Sequence, residues 1–199
     1  MIEHILETLS VFILNVIESS GYWGVFFLMA MESANMPIPS EVVMPFSGFL
    51  VSTGVFDFWP VILIATLGQL SGSLFSYYIA THFEKWTRKW TSHNPYYQKS
   101  KSWFDQYGVA TAFWSRLMPV IRTFISFPAG LFRVNIWKFS IYTFLGAFIW
   151  TTILTYPGVY LGENWQTLEP IFRKFDVLIA ILIIVGGIYA FKMHFKKTS

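Results

Sequence analysis

Uncharged apolar runs long enough to cross a bilayer alternate along this chain with apolar runs that carry acids, arginines and prolines. Crossing the hydrocarbon takes about 20 mostly apolar residues in a helix. Residues 59–83 meet that requirement without a charge, opening on Trp59-Pro60 and closing on Tyr77-Tyr78 and His82. Residues 175–191 hold the most aliphatic stretch, Val177 to Val185, with Lys192 directly behind. Residues 139–161 are uncharged and aromatic, and Pro157-Gly158 is expected to bend or fray their end. Residues 2–20 place Ile5, Leu6, Leu9, Phe12, Ile13, Val16 and Ile17 at helical spacing, with Glu3, Glu7, Asn15 and Glu18 between them. That pattern suits either a further span or a helix lying on the surface, and it lacks the basic start and small-residue cleavage site of a secretory signal. The expectation is an all-α polytopic membrane protein with three to four spanning helices.

Two apolar stretches depart from the pattern of a simple span. Residues 25–55 hold Glu32, Pro37, Pro39, Glu41, Pro45 and Gly48, and residues 109–132 hold Arg116, Pro119, Arg122, Pro128 and Gly130. An intramembrane charge costs about 2.5–3.5 kcal/mol on insertion scales. Each proline removes a backbone donor, and broken backbone at membrane depth survives only inside protein or along a wet cavity. Both stretches are therefore expected to be re-entrant hairpins lining a polar cavity.

Composition strengthens the membrane assignment. Apolar residues make up 54% of the chain and charged ones 13%, against about 25% charged in an ordinary soluble domain. A net charge of +3 is thin cover for a phosphate backbone, so nucleic acid is not an expected partner. The absence of cysteine removes disulfides, thiolate metal sites and cysteine nucleophiles from consideration.

Basic residues orient the scheme. Lys85, Arg88, Lys89, Lys99 and Lys101 crowd the connection at 84–105, and Lys192, Lys196 and Lys197 crowd the C-terminal tail. By the positive-inside rule both face the cytoplasm. The first hairpin then enters from the outer side and the second from the inner. Internal similarity supports that pairing: Gly24 aligns with Gly108 and Glu32 with Arg116, and Gly48-Phe49-Leu50 resembles Gly130-Leu131-Phe132. Downstream, Phe58-Trp59 and Gly68 match Ile136-Trp137 and Gly146 at an offset of 78. A first repeat at 22–83 and a second at 106–161, in opposite orientation, form the inverted-repeat design of secondary transporters, within one integral membrane domain covering 1–199.

The two hairpins are chemically complementary. The first supplies Glu32 and Glu41 around Pro37 to Ser40, and the second supplies Arg116 and Arg122 around Pro119. Arginine keeps its charge and its planar fork matches a phosphate bidentately, whereas a buried glutamate can take up a proton. An arginine pair for an anion and a glutamate pair for protons are the parts of a proton-coupled transporter of a phosphorylated substrate. The same groups would also serve as a structural neutralisation holding the hairpins together, although a purely structural buried pair is replaceable by apolar packing at little loss. Ser40, Ser115 and Ser126 can donate to phosphate oxygens, or merely pack. Gln69 lies in the Gly68-x-x-x-Gly72 frame, which reads as close helix packing. His4, His82, His93 and His194 are scattered without the spacing of a metal site.

The segment from Glu32 to Glu41 followed by Gly48, and the segment Phe113-Trp-Ser115-Arg116-Leu-Met-Pro119-Val-Ile-Arg122 followed by Pro128-Ala129-Gly130, resemble the two signatures of the DedA family. These proteins are also described as SNARE-associated or VTT-domain proteins. The resemblance runs from about Tyr22 to Phe191. It implies a bacterial inner-membrane protein with two re-entrant segments. Such a protein returns undecaprenyl phosphate, the carrier lipid of wall synthesis, or phosphatidylethanolamine across the membrane in dependence on the proton gradient. It also implies acidic positions at Glu32 and Glu41 and essential arginines at Arg116 and Arg122. Some members carry Asp, at a slightly different spacing, where this chain has Glu41.

The leading expectation is therefore a flippase for undecaprenyl phosphate, without a cofactor, whose partners are its lipid and protons. A phospholipid flippase or scramblase and a proton-coupled ion transporter are the alternatives. A lipid phosphatase is disfavoured because neither hairpin contains a histidine. A scaffold, and a homo-oligomeric assembly, are both compatible with the sequence.

Overall fold

The N-terminal helix, α1 (Ile2–Ser33), turns a corner at Gly21, whose φ of 57° and ψ of −134° lie outside the helical region. The structure is a computed structural model describing residues 2–36, 38–91, 113 and 121–162. A Cβ added to Gly24 would stand 2.7 Å from the Val16 carbonyl oxygen, whereas an unbroken helix would hold those residues about 12 Å apart. Residues 2–20 and 22–33 are thus two arms folded on each other. Ile13 and Ile17, two of the expected apolar positions, are fully buried.

The second arm of α1 ends in a Schellman motif. Asn35 adopts a φ of 71°, its N–H donates to the Glu32 carbonyl, and the Met36 N–H donates to the Met31 carbonyl. Asparagine tolerates this left-handed position better than most side chains do. The chain then re-enters helix as α2 (Ser40–Ser52), with Pro39 at its N-cap. A second Schellman motif closes α2, with Gly54 at a φ of 77°, its N–H on the Val51 carbonyl and that of Val55 on the Leu50 carbonyl. The segment doubles back completely. Tyr22, at its start, stacks on Phe56 with ring centroids 4.5 Å apart, and the Tyr22 hydroxyl accepts from the Asp57 N–H at 2.7 Å. Each arm is about 20 Å long at 1.5 Å per residue, short of the hydrocarbon thickness of about 30 Å.

The long helix α3 (Phe58–Thr91) follows, then the short α4 (Ile121–Phe124) and α5 (Ser126–Leu131), and finally α6 (Ile136–Leu161). A third Schellman motif, with Arg133 at a φ of 54°, carries α5 into α6, where the Asn135 side chain caps the Trp137 and Lys138 N–H groups. Among the described residues, three stretches are long and apolar enough to cross a membrane: Val11–Ser33, Phe58–Phe83 and Ile136–Leu161. The first of them contains the corner at Gly21.

Several expectations are corrected here. Pro45 and Pro128 lie inside α2 and α5 rather than breaking them, so the interruption of the first hairpin is confined to residues 34–39. Pro157-Gly158 lies inside α6, which runs to Leu161 as expected and starts at Ile136 rather than 139. The physical reason is contact between backbones. Gly158 seats against the Pro45 carbonyl and Gly48 against the Thr155 carbonyl, so α2 braces α6 along the turn that proline weakens. The connection expected from 84 begins as helix, because α3 continues to Thr91. The expected span at 175–191 and the first arm of the second hairpin, with Ser115, Arg116 and Pro119, lie outside the described residues, as does Pro37.

Two glycine contacts between helices are alike. Gly48 of the first hairpin sits on the Thr155 carbonyl of α6, and Gly130, its counterpart in sequence, sits on the Tyr77 carbonyl of α3. Thr155 and Tyr77 are related by the same offset of 78 that aligns the two spans in sequence. α2 therefore lies on α6 and α5 on α3, at carbonyls separated by that same offset. Around Gly130, the Tyr77 hydroxyl donates to the Val134 carbonyl at 2.6 Å and Tyr77 stacks on Phe139 at 5.3 Å. Ile125 and Ala129 complete that buried cluster.

Candidate functional site

Between these elements runs a stripe of buried polar side chains. Thr66, Gln69, Ser73 and Ser76 recur on α3 at spacings of three and four, and all are buried, which places them on one helix face. Gly68 and Gly72 let α3 close directly on α1 at the Phe26 and Ala30 carbonyls, as the Gly-x-x-x-Gly frame suggested. Thr151 of α6 meets Thr66 hydroxyl to hydroxyl at 3.2 Å. Ser76 donates to the Asn35 side chain at 3.3 Å, which ties the tip of the first hairpin to α3.

In the middle of this stripe stand three charges. Arg122, in α4, directs Nη2 to Glu32 Oε1 at 2.6 Å and to Glu41 Oε1 at 2.9 Å. The residues concerned are 4%, 2% and 8% exposed, so the ion pairs are shielded from the water that weakens surface pairs. Glu32 arrives from the last turn of α1 and Glu41 from the first turn of α2, where the positive end of the helix dipole favours an acid. The break at residues 34–39 is what brings these two carboxylates to one guanidinium. Nε and Nη1 of Arg122 have no hydrogen-bond partner among the described residues.

A polar surround orients the three. Gln69 donates from Nε2 to Glu32 Oε2 at 3.3 Å. The Ser40 hydroxyl donates to Glu41 Oε2 at 3.4 Å and accepts from Trp150 Nε1 at 3.3 Å. Trp150 also lies under the cation, with Arg122 Cζ 4.6 Å from its ring centroid, inside the range of a cation–π contact.

Of the residues expected from sequence, Glu32, Glu41, Ser40 and Arg122 come together. Pro39 caps the helix that carries two of them, while Pro45 and Gly48 hold that helix to α6. Gly130 and Pro128 lie in α5, where Gly130 packs on α3, and Ser126 is buried at the start of the same helix. Two participants were missed. The glycine frame around Gln69 reads as packing alone, although Gln69 shares a helix face with Thr66 and Ser73. Trp150 was passed over, although a tryptophan in the middle of a span is itself a signal, since this residue favours membrane interfaces.

Chemically, the guanidinium is a permanent cation that uses one nitrogen for two acids and keeps further donors in hand. The carboxylates are the groups of the cluster that can change charge. An anion that enters competes with them for the same cation.

Comparison with known proteins places these features in context. A family profile described as the VTT domain matches residues 38–160. The "Alkaline phosphatase-like protein" of Lactococcus lactis subsp. lactis (strain IL1403) is 32% identical, over 93% of this chain and 91% of its own. Undecaprenyl phosphate transporter A of Bacillus subtilis (strain 168) is 30% identical, over 87% of this chain and 88% of its own. The protein of that name from Staphylococcus aureus (strain NCTC 8325 / PS 47) is 29% identical, over 85% and 88%. No solved structure matches the chain.

Proposed function

The chain belongs to the VTT-domain, or DedA, family of multi-pass membrane proteins, and on that premise we propose that it is a lipid transporter that carries undecaprenyl phosphate across the bacterial cytoplasmic membrane. The observation that carries this reading is the buried Arg122, held by Glu32 and Glu41, with two nitrogens that have no hydrogen-bond partner among the described residues. A lipid phosphate brings the oxygens those donors suit. The relatives named undecaprenyl phosphate transporter A support the choice of lipid. The headgroup sits by Arg122 and, from the sequence pattern, Arg116, with Ser40 and Ser115 as further donors, while the prenyl tail stays in lipid.

Coupling to protons follows from competition within the cluster. When a proton neutralises Glu32 or Glu41, the acid loosens its hold on Arg122 and the phosphate takes its place. When the proton leaves, the carboxylate reclaims the cation and expels the headgroup. The two hairpins, each packed on the span of the opposite half, re-enter from opposite faces and give the site alternating access. The 84–105 connection and the C-terminus face the cytoplasm.

Leaflet exposure of each lipid in proteoliposomes under an imposed proton gradient tests this reading. Wild type moves undecaprenyl phosphate and not phosphatidylethanolamine. Glu32→Gln loses the response to the gradient, and Arg122→Ala loses movement altogether. Movement of phosphatidylethanolamine alone would keep the site and replace the substrate, and ion flux without lipid movement would favour an ion transporter. Phosphate release by the purified protein would instead point to an enzyme, as the name of the Lactococcus relative suggests.

A further inference from the structure

Trp59 and Trp137 stand at the starts of α3 and α6 with more than half of their surface exposed, the ordinary placement of an interfacial indole. Trp150 does not follow that rule. It lies in the interior of α6 with its N–H donated inside the protein, to Ser40 Oγ at 3.3 Å. Its ring carries the Arg122 guanidinium, with Cζ 4.6 Å from the centroid.

These two contacts differ in kind. The cation–π contact engages the charge through the ring face and consumes no N–H donor. Nη2 serves the two glutamates, and Nε and Nη1 stay without hydrogen-bond partners among the described residues. The indole therefore holds the cation without competing for the donors that an anion needs. Through Ser40, whose hydroxyl donates to Glu41 Oε2, the same residue also steadies one of the competing acids.

We propose that Trp150 is a positioning residue of the site: it keeps Arg122 in place while the guanidinium donors exchange a carboxylate for the oxygens of a phosphate ligand. The role rests on the phosphate-lipid reading above. It separates what binds, Arg122, from what keeps the arginine from following Glu32 or Glu41 when either moves.

The experiment uses the full chain in proteoliposomes, with a polyprenyl phosphate, the matching uncharged polyprenol and inorganic phosphate as probes. Trp150→Leu removes ring and N–H together, and Trp150→Phe keeps an aromatic face. Trp150→Leu is expected to raise the half-saturating concentration of polyprenyl phosphate about tenfold with the maximal rate nearly unchanged, and Trp150→Phe to stay within about threefold of wild type. An unchanged half-saturation in Trp150→Leu overturns the role, as does a Trp150→Phe variant as impaired as Trp150→Leu. Competition by inorganic phosphate that weakens in Trp150→Leu supports the role with a free anion as the ligand.

If wild type handles none of these probes, the phosphate-lipid reading fails by itself. The positioning role is then decided by thermal unfolding of wild type, Trp150→Leu, Arg122→Gln and the double variant. Losses in Tm that fail to add support it, and additive losses overturn it.

Discussion

Glu32 of α1 and Arg122 of α4 are joined by a 2.6 Å ion pair in the interior of the helical assembly. Neither helix can complete this pair alone. The acid comes from the end of α1 and the base from the short α4, and the packing of α2 on α6 and of α5 on α3 brings those elements together.

Arg122→Lys is expected to fail nearly as completely as Arg122→Ala. A lysine ammonium is a point charge on a flexible stem, and it does not reproduce two carboxylate contacts with donors left over. Lipid movement in the lysine variant should fall by about tenfold or more, the worth of a charge-assisted hydrogen bond. Transport at the wild-type rate would remove the headgroup role from this residue.

Gln69→Leu deprives Glu32 Oε2 of its amide donor. The carboxylate keeps Arg122 but loses an orienting contact, so transport is expected to drop by roughly threefold to tenfold, in line with a net hydrogen-bond contribution of about 1 kcal/mol. Gln69→Asn, whose amide is one methylene shorter, should not restore the rate. A wild-type rate in Gln69→Leu would show the contact to be incidental.

Gly48→Ala places a methyl group against the Thr155 carbonyl and the neighbouring backbone of α6. Backbone cannot rotate aside as a side chain can, so α2 and α6 must separate. The expected loss is about 1–3 kcal/mol of stability, read as a lower Tm in detergent. Gly130→Ala, which meets the Tyr77 backbone in the same way, is expected to lose a similar amount. Unequal losses would argue against equivalent packing of the two halves.

Thr66→Cys with Thr151→Cys tests the approach of α3 to α6 directly. The hydroxyls lie 3.2 Å apart, and the chain has no cysteine of its own to interfere. Mild oxidation is expected to cross-link the double variant within one chain, seen as a shift in electrophoretic mobility that reductant reverses. Failure to cross-link would contradict this face-to-face packing.

Much of this molecule is written locally in its sequence. Uncharged runs marked the spans around α3 and α6, because burial of apolar surface depends on composition and period alone. The acids, arginines and prolines marked the unusual segments, because charge and missing backbone donors are costly in lipid wherever they fall. The 78-residue offset between Phe58-Trp59 and Ile136-Trp137 pointed to a repeat. Other features belong to contacts between distant parts of the chain. Pro45 and Pro157 remain inside helices because Gly48 and Gly158 let α2 and α6 brace each other, a relation that neither local stretch contains. Gln69 and Trp150 join the charged cluster because of the helix faces on which they fall and what those faces meet. The sequence by itself determined a membrane protein with acids in one proline-bearing apolar stretch and arginines in another; the tertiary structure decided that Glu32 and Glu41 share Arg122, since only packing brings the opposite charges within reach.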